Sequence, residues 1–187
     1  MTRWAELEAA LAERIQGGRL AHVYRVLDTA RDLADRYGVN REQAEIAALM
    51  HDFAKRMSDA ELLAEGRQRN LIIDPAEEVQ PQLLHGPVAA AQLAELGLVT
   101  DPAVLDAIRW HTTGRAGMSR LEMVIWLADY IEPGRVFPGV QEIREQALHD
   151  LDGALLKALD GSIAFVLQRG WMLHLYTVHA RNWLLTR

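Results

Sequence analysis

The stretch Ala47-Ala-Leu-Met-His-Asp-Phe-Ala-Lys55 decides how the rest of the chain is read. An apolar run carries the backbone inward and ends in an adjacent His51–Asp52 pair, with Lys55 one helical turn further on. A carboxylate drawn out of water costs several kcal/mol, roughly, unless a cation or a metal ion meets it. Taken alone, the pair could equally be a helix end that meets solvent. Which of the two it is depends on the other histidines and on one later acid.

Upstream of this stretch, Trp4, Leu7, Leu11 and Ile15 recur at spacings of three and four and predict one amphipathic helix, stopped by Gly17-Gly18. A second helix is expected over 19–37, with Gly38 as its stop and His22, Val26, Ala30, Leu33 and Tyr37 on its inner stripe. Asn40-Arg-Glu-Gln43 has the pattern of a capping box and opens the helix that ends in His51–Asp52.

Downstream, Ser58-Asp-Ala-Glu61 is a second capping box, starting a short helix to about Arg69, and residues 70–82 read as a surface connection. His85-Gly-Pro87 opens an alanine-rich helix that Gly97 stops, and Asp101-Pro102 caps a helix through Trp110, with His111 at its end. A third capping box, Ser119-Arg-Leu-Glu122, starts a helix whose Met123-Val-Ile-Trp-Leu-Ala128 run delivers Asp129 and closes at Pro133-Gly134. Helical patterns continue from Val140 to about Arg169, with a last apolar helix over 178–185. No stretch alternates like a strand, so the expectation is an all-α, compact, multi-helix fold. Its expected organisation is a single domain over 1–187, with an N-terminal helix in 1–18, a core over 19–150 and C-terminal helices in 151–187. The apolar segments 171–175 and 183–185 suit either core or interface, which leaves a homodimer open.

The totals narrow the chemistry. Among 187 residues, 20 Lys and Arg face 26 Asp and Glu, and a net charge of −6 argues against a nucleic-acid partner. A small anionic substrate in a local cationic pocket remains compatible with that balance. There is no cysteine, which excludes disulfides, thiolate nucleophiles and zinc–thiolate sites, so a metal would have to be held by His, Asp or Glu. The N-terminus carries two early acids without the apolar core of a signal peptide, and no apolar run approaches the ~20 residues that span a bilayer. A cytoplasmic protein with no membrane partner is expected.

Each histidine has an ordinary explanation by itself. His22 could be a satisfied core residue, His111 could answer a helix dipole, and His85 could simply precede a helix. Asp129 is harder to explain away, because it ends a run with no polar residue between Met123 and Ala128. The set carries more weight than its members: His22, His51, Asp52, His85, His111 and Asp129 all lie within or directly after apolar stretches. Such a mixed nitrogen and oxygen donor set suits two divalent transition-metal ions (iron, manganese, zinc or cobalt) rather than magnesium or calcium. His149, His174 and His179 lack that context.

These residues resemble the signature of the HD superfamily of metal-dependent phosphohydrolases, His…His-Asp…His…His…Asp in that order. His51-Asp-Phe-Ala-Lys55, Leu84-His-Gly86, His111-Thr-Thr-Gly-Arg115 and Ala128-Asp-Tyr-Ile-Glu-Pro-Gly-Arg135 are similar to the bacterial YqeK-like branch in particular. The resemblance implies an HD-domain fold with its metal site between central helices. It also implies symmetrical hydrolysis of diadenosine tetraphosphate into two ADP through a metal-activated hydroxide, with iron as the native metal and ADP or GDP as a product-like ligand. By similarity, Asp52 bridges two ions, His22, His51 and Asp129 complete one, and His85 with His111 the other. Lys55 and Arg115 would meet substrate phosphate beside Asp52 in the catalytic set, and Thr112, Thr113, Gly114 and Arg135 would line the same site. Two alternatives stay open: an HD hydrolase of another nucleotide (a monophosphate or a cyclic dinucleotide), and a non-catalytic helical module that binds metal or nucleotide.

Overall fold

The computed structural model describes residues 2–187. Its first half holds α1 (Arg3–Arg14), α2 (Gly18–Tyr37), α3 (Arg41–Met50), α4 (Asp59–Gln68) and α5 (Pro75–Val79), then a 3-10 turn over Pro81–Leu84. Its second half holds α6 (His85–Glu95), α7 (Pro102–Trp110), α8 (Arg120–Ile131), α9 (Val140–Gln146), α10 (Leu151–Gln168) and α11 (Leu175–Leu184). No strand occurs among the described residues, so the all-α expectation holds.

The helix ends follow local chemistry. Gly38 sits at φ 64°, the left-handed conformation that costs glycine little, and its N–H bonds the Ala34 carbonyl to close α2. Ser58 and Ser119 form complete capping boxes with Glu61 and Glu122. Asn40 makes only half of one: its side chain accepts from Gln43 N, while the Gln43 amide donates instead to Asp101 at 2.8 Å. That diversion ties the start of α3 to the start of α7.

Three expectations are corrected. Residues 70–82 are not a plain surface connection, because Asp74 and Glu77 complete a capping box around Pro75 and build α5, with both carboxylates buried. The pattern running from Val140 breaks between α9 and α10, where the Asp150 side chain accepts from Gly153 N and restarts the helix. The last helix begins at Leu175 rather than Val178, capped by the His174 ring accepting from Tyr176 N.

Helix α8 is the axis of the packing. It is apolar all round from Met123 to Ala128 and buried over that length, as befits a helix surrounded on every side. It packs against α2, α3, α7 and α10, while α3 lies against α2 and α7, and α6 against α7. Leu27, Leu49, Met50, Ile108, Met123 and Ile125 are fully buried where these helices meet. Burial of each such side chain stabilises by about 1.5–3 kcal/mol before entropy is counted. The helices α2, α3, α6, α7 and α8 all send an end, or the turn next to one, to the same place.

Candidate metal centre

That place is where the histidines gather. His22 lies in the second turn of α2, on the buried face with Val23 and Val26. His51 and Asp52 directly follow α3, His85 opens α6, His111 directly follows α7, and Asp129 lies in the last turn of α8. His22, His51, Asp52, His85 and His111 are at most 6% exposed.

Each imidazole is turned by a bond at its other nitrogen. His51 Nδ1 donates to the Ala48 carbonyl at 2.7 Å and His111 Nδ1 to the Ile108 carbonyl at 2.7 Å. His85 Nδ1 donates to the Gln82 carbonyl, and His22 Nδ1 to the Glu132 carboxylate at 3.1 Å. A neutral imidazole that donates from Nδ1 presents a lone pair at Nε2. His22, His51, His85 and His111 thus turn their Nε2 lone pairs toward one small volume.

Within it, His22 Nε2 lies 3.1 Å from Asp129 Oδ1 and 3.7 Å from Asp52 Oδ2. His51 Nε2 is 3.5 Å from Asp52 Oδ2, and His85 Nε2 is 3.4 Å from Asp52 Oδ1. His85 Nε2 and His111 Nε2 stand 2.9 Å apart. Asp52 therefore addresses His22 and His51 with one oxygen and His85 with the other. Donor atoms of His22, His51 and Asp129 lie within 4.8 Å of one another, as do those of His51, Asp52 and His111.

Lone pairs facing lone pairs and carboxylates repel unless a cation sits among them. His22 Nε2 and His51 Nε2 are buried without a hydrogen-bond partner, a state that costs about 1–3 kcal/mol per group when nothing compensates. Burial, above all, pulls His111 down to about 3, with the neighbouring His85 and His51 adding to the effect, and burial likewise lowers His85. Both rings are neutral at pH 7 and so are competent ligands. The donor set fits a divalent metal, and these His and Asp residues are the ones that would hold it.

Cations ring this cluster. Lys55 is half-buried; burial lowers its pKa, while Asp52 and Asp129 pull it back up. Arg135 donates to the Asp129 carboxylate at 2.7 Å and to its carbonyl at 3.0 Å. The Thr112 hydroxyl lies 3.2 Å from His111 Nε2. The structure places the neighbouring residues differently. Thr113 is buried with its hydroxyl donating to Gly114 O, and Gly114 N donates to Trp110 O at 2.8 Å. Arg115 turns its guanidinium onto Glu122 at 2.7 and 2.9 Å and onto Asp106 at 3.2 Å, because Glu122 is already fixed by the Ser119 capping box.

Sequence reasoning passed over Arg19 and gave Glu132 no role beyond its place before the helix stop. Arg19 donates to Asp52 Oδ2 at 3.0 Å. Glu132 is 2% exposed and accepts from His22 Nδ1, from Arg25 Nε and from Gly134 N. Burial pushes the Glu132 carboxyl up, but Arg25, the Gly134 N–H and His22 outweigh it and hold it below the usual range. The signal was spacing: Arg19 stands three residues before His22 and Glu132 three after Asp129, one turn in each case.

Residues 19–134 match the HD domain. The chain is 42% identical over 170 residues to "Bis(5'-nucleosyl)-tetraphosphatase, symmetrical" of Halalkalibacterium halodurans, covering 89% of each chain. It is 38% identical over 184 residues to the protein of that name from Bacillus subtilis, covering 97% of each. A crystal structure from Clostridium acetobutylicum, described as a predicted HD superfamily hydrolase involved in NAD metabolism, superposes with a TM-score of 0.94 at 38% identity. That match covers 100% of this chain and 99% of the other.

Proposed function

The chain belongs to the HD domain family, and on that footing we propose that it hydrolyses diadenosine tetraphosphate symmetrically, yielding two ADP. It is a hydrolase acting on phosphoanhydride bonds. The observation that carries hydrolysis is the convergence of the His22, His51, His85 and His111 Nε2 lone pairs on Asp52 and Asp129, with Lys55, Arg19 and Arg135 beside them. The substrate follows from relatives that share most of the chain and carry that activity in their names.

We assign His22, His51, Asp52, His85, His111 and Asp129 as the ligands of two divalent transition-metal ions, iron being the native one and manganese, cobalt or zinc able to replace it. Asp52 would be the shared ligand, since its two oxygens face different histidines. Metal ions in such a setting lower the pKa of bound water toward ~7 and offset charge on phosphoryl oxygens.

The protein supplies the rest. Lys55, Arg19 and Arg135 lie beside Asp52 and Asp129, and their positive charge would offset the repulsion between these carboxylates and a polyphosphate. Arg19 and Arg135 already bond these carboxylates, so substrate phosphate competes for cations that are in position. The Thr112 hydroxyl can donate to a phosphoryl oxygen beside His111. Arg115, Thr113 and Gly114 serve the same chemistry indirectly, by fixing the loop that follows His111. The leaving group is a nucleoside diphosphate, stable as an anion, so a strong general acid is unnecessary.

Chromatography of the products made from diadenosine tetraphosphate tests the reading: ADP alone is expected, and ATP with AMP overturns it. On the same protein, His51→Ala is expected to lose metal and activity together, and an Asp52→Ala protein with full activity would refute the assigned centre.

A further inference from the structure

A cavity of about 660 Å³ opens between the segment that follows Asp129 and the outer face of α10. Arg135 belongs to its wall and at the same time donates to Asp129 at 2.7 Å, so the cavity begins one side chain away from the metal ligands. Its volume lies inside the range of small-molecule sites, ~300–1,000 Å³. Tyr130, Phe137 and Phe165 give it aromatic walls, with the Tyr130 and Phe137 rings edge-to-face at 5.0 Å. Phe165 is 47% exposed, with its ring also meeting Trp171 edge-to-face at 5.8 Å and Arg169 at 5.1 Å. In a chain of net charge −6, the lining carries two cations, Arg135 and Lys157, and no carboxylate.

Aromatic walls suit the face of a nucleobase, and the two cations of the lining suit the phosphate attached to it. We propose that this cavity seats one nucleoside of the substrate, its base against Phe137 and Phe165 and its phosphates leading past Arg135 toward Asp129. The proposal rests on the dinucleoside polyphosphate reading above and adds what recognises the nucleoside. A seat at a fixed remove from the metal ligands also counts phosphates: it decides which anhydride bond arrives at Asp52, and so bears on why cleavage is symmetrical.

Gly161, on α10, keeps the seat open. A Cβ there would lie 2.9 Å from the Tyr130 hydroxyl, so a larger residue would press the tyrosine ring across the cavity. Ala164 lies on the same wall and is exposed, so a bulky residue at that position fills the cavity without entering the core.

The test is calorimetric titration of the metal-loaded protein with ADP and, separately, with inorganic tripolyphosphate. Ala164→Trp and Phe165→Ala are each expected to weaken ADP binding about tenfold or more, the scale of a lost base–aromatic stack, while tripolyphosphate binds as before. Unchanged ADP affinity in an Ala164→Trp protein that melts like the wild type overturns the proposal. So does photolabelling by 8-azido-ADP that leaves the peptides bearing Phe137 and Phe165 unmarked. The substrate reading fails separately, if the wild-type protein releases ATP and AMP instead of ADP.

Discussion

Glu132 sets what His22 can do. Its carboxylate accepts a hydrogen bond from His22 Nδ1–H, which leaves Nε2 as a lone pair aimed at Asp52 and Asp129, and Arg25 and Gly134 N hold the carboxylate in turn. Partners of this kind typically govern ligand basicity and ring orientation, and their loss costs about 10–100-fold in metal affinity. Glu132→Gln is expected to weaken metal binding by that factor in competition with a chelator, with the circular dichroism spectrum unchanged. Gly86 acts through space rather than charge. A Cβ there would meet the Arg109 carbonyl at 2.8 Å, the Ile108 carbonyl at 3.0 Å and His111 Cε1 at 3.2 Å. Backbone oxygens cannot step aside without moving α7, so Gly86→Ala forces α6 and α7 apart and separates His85 from His111. A loss of about 1–3 kcal/mol in stability is expected from urea unfolding, together with less than full metal content.

At the scale of elements, α5 and α11 are joined by buried polar groups. Asp74 caps α5 through Ala76 N at 2.9 Å and accepts from Leu175 N at 3.0 Å, while His174 Nε2 lies 3.4 Å from Glu77. Burial pushes the Asp74 carboxyl up, but the Ala76 and Leu175 N–H groups and His174 outweigh it, and the net shift is downward. A carboxyl whose folded pKa lies below its unfolded one stabilises fully above the unfolded value, and that contribution fades as pH falls through the folded one. Asp74→Ala is therefore expected to cost about 1–3 kcal/mol at pH 7, from a lost cap and a lost tether. The gap between variant and wild type should narrow as pH drops below about 4, read from urea midpoints across pH.

The same pair of helices marks where sequence reading stopped. The Ser58 and Ser119 capping boxes and the Gly38 stop could be read directly because their partners are three or four residues away. The clustered His and Asp residues were legible for a related reason, each being delivered by an apolar run. Asp74 and Leu175 are 101 positions apart, so nothing periodic near either announces the other, and the prolines at 75 and 81 made α5 look like a loop. Arg115 shows the opposite hazard: its neighbours His111 and Thr112 face the His–Asp cluster, whereas its own fork is claimed by Glu122, a residue seven positions on.

Across the whole molecule, the ligands assigned above come from α2, α6, α8 and the turns directly after α3 and α7, so ions held among them would tie the central helices together. Anything bound only by the folded state stabilises it by mass action, about 2.7 kcal/mol at a free concentration 100 times Kd. Stripping the protein with a chelator is expected to lower its melting temperature, and added metal should restore it progressively with concentration. A melting temperature indifferent to both would mean that the cluster does not bind metal in the folded chain.

The spread of those ligands along the chain also implies an order of assembly. His85 and His111 are 26 positions apart on helices that pack directly against each other, whereas His22 meets Glu132 across 110 positions. Closing the short loop costs less entropy, so the α6–α7 hairpin can present two of the six assigned ligands while α2 is still searching for α8. The α2 edge of the centre closes last and, by the same reckoning, opens first. Amide hydrogen exchange should then be fastest around His22 and slowest around Ile108, a gradient of local opening written along a single cluster of side chains.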